Sequence, residues 1–417
     1  MRNSDRYMTA REAAAALGVS LGTLYSYVSR EMLHSDPVVG EPRLRRYLRE
    51  DVLRLIDRKE FRRNPAKAVA KGLHWGNPVL QSALTFIDGG RLFYRGIDAI
   101  ELAQHASLEE VAALLWTGDA KRAGELFSGE SASLPPKAAD LFRRNRAAGP
   151  IDRCQVALAL AASSDPSAHD LRPSGVAKTG VKILGLVFSS VVGSFVSSPL
   201  DMALVRVWMP TRKSAAPLLR AALILCADHE LNVSAFTARC IASARATPYE
   251  VVVGALAAFR GRRHGGAAAE VEILFREAEK APDCRQIVAD RLRSLGYVPG
   301  FGHRLYPEGD PRAQKLISLA RMHGGPKEIE LARRLIYAAH RITKEHPNLD
   351  FGLAMAARAL QLGPHAPMAL FALGRTVGWI AHAIEQYADL ELIRPRAHYV
   401  GPVPLQRKPP AQTHSLR

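Results

Sequence analysis

Apolar residues recur at three- and four-residue intervals along most of the chain, the period of a helix with one buried face. The pattern predicts helices over 108–116, 218–227, 249–259, 328–342 and 368–384. Two-residue alternation is scarce. Its clearest instance is 84–95, LTFIDGGRLFYR, where apolar runs flank Asp88-Gly89-Gly90 and predict a short hairpin. The body is therefore expected to be nearly all-α, with many short-to-medium helices round a large core. Residues 172–178 and 261–266 read as loops, because glycine, proline and charge interrupt the period. The most apolar stretch, 183–196, contains three serines and two glycines. It is shorter than the ~20 residues that cross a bilayer, so a buried helix is expected and no membrane partner. Residues 401–417 hold four prolines and little apolar content, and read as a mobile tail.

The first 72 residues differ from the rest. Thr9 followed by Glu12 is a capping box that starts a helix over 10–17, Gly18 ends it, and Ser20 caps a second helix running to about Arg30. Pro37, Gly40 and Pro42 then break the chain. Arg43, Arg45, Arg46 and Arg49 alternate with Leu44, Tyr47 and Leu48, which reads as a basic strand leading into another helix over 51–61. This block carries 15 Lys/Arg against 9 Asp/Glu. Ser26, Tyr27 and Arg30 on the second helix are candidates to face a DNA groove, and Arg43, Arg45 and Arg46 to hold phosphates. A small helical appendage with a solvated basic face fits the same pattern.

Composition adds bounds. The 417 residues suggest two to three domains at roughly 150 residues each. Apolar residues at 47% and charged ones at 23% exclude a disordered, collagenous or disulfide-scaffold chain. The net charge of +17 favours anionic partners, such as nucleic acid, phosphate-bearing cofactors or anionic substrates. Cys154, Cys226, Cys240 and Cys284 are scattered with no C-x-x-C pair, so no metal site is expected and a reducing cytoplasm fits. The N-terminus lacks the apolar core of a secretory signal.

Three histidines sit in unusual settings: His229 in ADHE after an apolar helix, His264 in GRRHGG, and His303 in GFGHRLY, followed by Asp310-Pro311-Arg312. Glycines beside a histidine let a ligand approach both the imidazole and the backbone N–H groups. Such a histidine can donate to developing negative charge or pass a proton; a satisfied structural histidine is the alternative for each alone. Asp350 in PNLDF precedes an apolar helix and reads on its own as a helix cap. Arg375 shares a helical face with Gly378, Trp379 and His382, and needs an anionic partner if buried. Arg394 and Arg396 flank Pro395.

Together, SALTFIDGGRLFYRGIDAIELA, ADHELNVSAFTAR, RHGGA, GFGHRLYPEGDPRA, PNLDF, GRTVGWIAHAIEQ and RPR resemble the citrate synthases, including the 2-methylcitrate synthases, in order and spacing. The resemblance covers roughly residues 75–405. The N-terminal block resembles the winged helix-turn-helix of the MerR/excisionase group.

The second resemblance implies a winged block over 1–72; the first implies an all-α body whose large domain, over 73–262 and 361–417, and small domain, over 263–360, close on the substrates. It implies that His264 stabilises the enol of an acyl-CoA thioester, that Asp350 takes the α-proton, and that His303 polarises the oxaloacetate carbonyl. It further implies that His229, Arg312, Arg375 and Arg394 hold substrate carboxylates, Arg394 from the partner subunit of a homodimer with shared active sites. No cofactor beyond the acyl-CoA substrate, acetyl-CoA or propionyl-CoA, is implied. The chain departs from the family's pattern at Arg262-Arg263, Ala268-Ala269, Pro307 and Gly352-Leu353-Ala354, which leaves the acyl preference open. The functional expectation is condensation of acetyl-CoA with oxaloacetate. The alternatives are the propionyl-CoA reaction and a DNA-binding metabolite sensor.

Overall fold

The computed structural model describes residues 7–30, 33, 35–38, 41–48, 51–52, 55, 80–128, 134–145, 147–196, 198–397 and 399–402. The chain forms two compact units, Met1–Gln81 with Arg394–Arg417, and Ser82–Ile393.

In the first unit the helix Ala10–Leu17 starts at the Thr9–Glu12 capping box and stops at Gly18, in the left-handed conformation. Ser20 accepts the Thr23 N–H and starts the helix Leu21–Ser29. The strand Glu41–Leu48 pairs antiparallel with Tyr7–Thr9 on one side and Ser35–Val38 on the other. The strand Ser35–Val38 was not legible in the sequence: its Pro37 suits only an edge position, which it occupies. Ala13, Ala14, Leu17, Leu24, Leu33 and Tyr47 form a small separate core. Of the helix expected over 51–61, Asp51, Val52 and Leu55 are helical; the remainder lies outside the described residues, as does the expected tail from residue 403.

Among its described residues the second unit is all-α apart from one small sheet. The hairpin pairs Thr85–Asp88 with Arg91–Tyr94, as the alternation predicts, and the short strand Ile97–Asp98 adds to it. The helix Ala366–Ala388 is the axis of the core, with nearly every residue from Ala366 to Tyr387 buried. It packs against Pro173–Val192, Ala216–Cys226, Val233–Ser243 and Pro248–Phe259. A helix apolar on all sides belongs in the interior. The helices expected over 108–116, 218–227, 249–259 and 328–342 are Leu108–Thr117, Ala216–Cys226, Pro248–Phe259 and Pro326–Thr343.

Residues 172–178 are a correction, since they open the helix Pro173–Val192 instead of forming a loop. Pro173 occupies the first helical position, where its missing N–H costs nothing, so it starts the helix and does not interrupt one. This helix is long and apolar enough to cross a membrane, but 72% of its apolar window is buried inside the protein.

Candidate active site

The helices Pro311–His323 and Leu349–Ala359 pack closely together. Asp310 caps the first by accepting the Arg312 N–H, and Asn348 caps the second by accepting the N–H groups of Asp350 and Phe351. Asp350 is thus not the cap that its position suggested. It sits in the first helical turn, with its side chain free for other work. Asn348 also donates to the Gly302 carbonyl at 3.2 Å, and its N–H donates to the Gly300 carbonyl at 2.9 Å. The loop that carries His303 is therefore strapped to the helix start that carries Asp350.

The His303 ring meets the His229 ring edge-on at 5.2 Å and lies 4.9 Å from the Tyr306 ring. His229 shares a 3.0 Å hydrogen bond with the Tyr306 hydroxyl. The Leu305 N–H donates to His303 Nδ1 at 3.2 Å, which makes Nδ1 an acceptor and puts the hydrogen of the neutral ring on Nε2. Burial, then Arg312, holds the His303 imidazole down at about 4. Burial, reinforced by Arg312 and His303, holds His229 well below its ordinary range. Both rings are neutral near pH 7 and able to donate.

His264 lies in a tight turn after the helix Pro248–Phe259, as the glycines suggested. A Cβ on Gly265 would fall 2.1 Å from the Phe259 ring, so only glycine lets this turn pack down. His264 Nε2 is 2.7 Å from the Ser234 hydroxyl, which accepts the Trp379 indole N–H at 2.9 Å. The Asn232 side-chain oxygen near Ser234 already accepts two backbone N–H groups, from Ser234 and Ala235. The Ser234 hydroxyl also lies 2.8 Å from that oxygen, so its single hydrogen serves either Asn232 or His264 Nε2; given to His264, it leaves the ring hydrogen on Nδ1 as a donor. Burial lowers His264 to about 3, so this ring is neutral as well.

Two arginines supply the charge. Arg312 is buried and doubly hydrogen-bonded to Asp310, at 3.0 and 2.8 Å. Arg375 is 1% exposed. Its Nε donates to the Cys226 carbonyl at 2.7 Å, and its guanidinium lies 5.0 Å from the Phe371 ring. Its Nη1 is buried with no hydrogen-bond partner, and among the described residues it has no ion pair. The anionic partner that a buried guanidinium requires is not supplied by the described part of the chain. Asp350 Oδ1 is likewise enclosed and unpartnered. Burial raises the Asp350 carboxyl to about 7, against the pull of Arg312 and Arg375.

These groups act electrostatically on one another. Arg312, His303, Arg375 and His264 all act on His229, and Arg312, Asp310 and Arg375 act on Asp350. The structure thus gathers His229, His264, His303, Arg312, Asp350 and Arg375. Arg394 is exposed and belongs to the other unit. The sequence reading missed Ser234, Trp379, Tyr306, Asn348 and Asp310. The Asn-x-Ser spacing in NVS and the Asp-Pro-Arg cap were visible signals, but neither reveals which histidine it serves. No group of three or more metal-ligating side chains occurs among the described residues.

In the first unit, Arg30 and Arg45 are exposed, and Ser26, Tyr27 and Arg46 are half-buried. Tyr27 packs on the small core, and Arg45 donates to the Ser35 hydroxyl at 2.7 Å. Arg43 lies in the strand Glu41–Leu48, with its side chain outside the described residues.

A carboxyl poised near neutrality, neutral imidazole donors and an unpaired guanidinium are the equipment of acid–base catalysis on an anionic substrate. Known proteins agree. The profile of the citrate synthase C-terminal domain matches residues 72–396. Citrate synthase 2 of Bacillus subtilis is 30% identical over 346 residues, covering 77% of this chain and 93% of that one. The 2-methylcitrate synthase 2 of Corynebacterium glutamicum is 28% identical over 353 residues, covering 74% and 88%. The ternary complex of carboxymethyl coenzyme A and oxaloacetate with citrate synthase from Thermoplasma acidophilum superposes with a TM-score of 0.67 at 26% identity, covering 82% and 98%. The chain belongs to the citrate synthase family, and it is an acyltransferase of the kind that converts the acyl group into alkyl on transfer.

Proposed function

We propose that the protein condenses acetyl-CoA with oxaloacetate to give citrate and free CoA. The Asp350 carboxylate removes a proton from the acyl α-carbon while His264 Nδ1–H donates to the thioester oxygen, so charge develops as an enol and not a free enolate. The α-carbon attacks the oxaloacetate carbonyl. His303 Nε2–H polarises that oxygen and gives it a proton as the new C–C bond forms. Water then cleaves the citryl-CoA thioester and releases the thiol. His229, Arg312 and Arg375 hold the substrate carboxylates, and the resemblance adds Arg394 from a partner subunit of a homodimer. The observation that carries the reading is the unpaired, buried Arg375 in the same cluster as the near-neutral Asp350.

One methylene in an apolar pocket discriminates by only ~1–3 kcal/mol, so propionyl-CoA, which gives 2-methylcitrate, is the second donor. Thiol release with each acyl-CoA, with and without oxaloacetate, tests both. Oxaloacetate-dependent release from acetyl-CoA exceeding that from propionyl-CoA supports the reading. The opposite order makes the enzyme a 2-methylcitrate synthase, and no release from either refutes both.

A second reading concerns the first unit. Met1–Gln81 with Arg394–Arg417 holds 20 Lys/Arg against 9 Asp/Glu, +11 of the chain's +17. Two capped helices at helix-turn-helix spacing share this unit with a basic strand. That combination supports binding to duplex DNA through Ser26, Tyr27, Arg30, Arg43, Arg45 and Arg46. Affinity of the full chain for a mixed-sequence duplex that falls steeply with salt supports it. Affinity that is undetectable at low salt refutes it.

A further inference from the structure

Asp228, the neighbour of His229, is fully buried in the loop between the helices Ala216–Cys226 and Val233–Ser243. Both of its carboxylate oxygens are held. The Thr85 hydroxyl donates to Oδ2 at 2.5 Å from the hairpin, and His382 Nε2 lies 3.1 Å from Oδ1. Its backbone N–H donates to the Tyr94 hydroxyl at 3.3 Å. An ionised carboxylate only accepts, so His382 Nε2 carries the hydrogen. His382 is itself fully buried, and its Nδ1 has no partner.

Arg375 lies two turns before His382 on the same helical face. Between them, Gly378 lets the loop lie against the helix: a Cβ there would fall 2.3 Å from the Ala227 carbonyl and 2.7 Å from Asp228 Oδ1. Asp228 is the leading charge that favours the guanidinium form of Arg375. Buried opposite charges attract strongly. Yet no ion pair joins these two, and Arg375 Nη1 stays unpartnered. The carboxylate is turned instead to a hydroxyl and an imidazole.

We propose that His382 is a positioning residue that keeps Arg375 open, holding Asp228 Oδ1 so that the carboxylate cannot close onto the guanidinium that an anionic substrate must reach. The inference rests on the reading of Arg375 as a ligand for the oxaloacetate carboxylate. In its terms the second unit carries its own competing anion, one residue from His229, and the helix Ala366–Ala388 supplies both the cation and the imidazole that keeps them apart. His382 touches neither the substrate nor a reacting atom. Its effect appears in substrate affinity.

The test uses the full chain with His382→Leu, which removes the donor, and His382→Gln, which keeps an N–H. Each is combined with Asp228→Asn, which neutralises the competitor. The oxaloacetate dissociation constant is measured by calorimetry alongside KM and kcat. His382→Leu should weaken oxaloacetate roughly 10–100-fold, the usual toll of losing a residue that orients a ligand-binding group, with a much smaller change in kcat. His382→Gln should stay close to the parent, and Asp228→Asn should restore most of the affinity that His382→Leu loses. Unchanged affinity in His382→Leu, or a loss that Asp228→Asn does not relieve, overturns the proposal, because a merely structural role lowers the active fraction and is not rescued by removing a charge. If His382→Leu does not fold, His382→Met, which also lacks the donor, takes its place, and the same loss and rescue decide the matter. A parent that binds no oxaloacetate removes the substrate reading itself; a parent that binds it while the variants match it removes only the role of His382.

Discussion

Replacing Asp350 with asparagine should stabilise the protein while disabling it. The Asp350 carboxyl is raised from 3.8 to about 7, chiefly by burial. In the unfolded chain it ionises at its ordinary value. Below that value both states hold the proton, and the group costs nothing. As the pH rises from about 4 to 7 the unfolded chain releases its proton and the folded one does not, so folding loses about 1.4 kcal/mol per unit. The full shift corresponds to about 4 kcal/mol, and the partial solvent access of the residue makes about 2–4 kcal/mol the fairer expectation. Asparagine cannot ionise and escapes this loss. Chemical denaturation of parent and Asp350→Asn at one protein concentration should therefore show a gap that is wide near pH 8 and small near pH 4, while turnover falls roughly 10²–10⁴-fold. A gap independent of pH, or a variant less stable near pH 8, would refute the assignment of a destabilised, functional carboxyl.

The histidines have the opposite sign. His264 and His303 are lowered to about 3 and about 4, so their stabilising contribution is present above about 6.5 and is lost as the pH falls toward those values; thermal midpoints should drop on acidification below about pH 6.5, less steeply in His264→Asn. Turnover in His303→Ala or His264→Ala should fall roughly 10²–10³-fold, with an unchanged circular dichroism spectrum. Arg375→Met removes an unpaired buried cation, so the ligand-free protein should be at least as stable as the parent. It should also lose the thermal protection given by saturating oxaloacetate, roughly 2.7 kcal/mol at a hundred times the dissociation constant. If Arg394 serves the partner's site, mixing inactive Arg394→Ala and Asp350→Asn proteins and letting subunits exchange should restore about a quarter of parental activity, since a mixed dimer holds one intact site. No recovery would place Arg394 outside a shared site.

The helical body was legible because its helices carry a strong period. The hairpin was legible because Asp-Gly-Gly separates two apolar runs. Residues 172–178 misled because Pro173 and Gly175 look like punctuation, although Pro173 opens a helix and Gly175 lets that helix start pack against Asp170, 2.3 Å from where a Cβ would stand. The catalytic candidates could be named from their motifs, but their chemistry could not. A sequence gives a histidine or aspartate only its ordinary pKa, not the shifted one. Tertiary packing alone sets His264 on Ser234, points Leu305 N–H at His303 and strips Asp350 of hydrogen bonds. The Asp228–His382 contact spans 154 positions, a distance no local pattern reports.

Carbon–carbon bond formation by the Asp350, His264 and His303 cluster is tested most directly by the product. Acetyl-CoA labelled with carbon-13 in both acetyl carbons, incubated with oxaloacetate and the protein, should yield citrate carrying both labels, with one free thiol for each molecule formed. Labelled acetate as the sole product, or label remaining on acetyl-CoA while the folded protein binds both substrates, would contradict it.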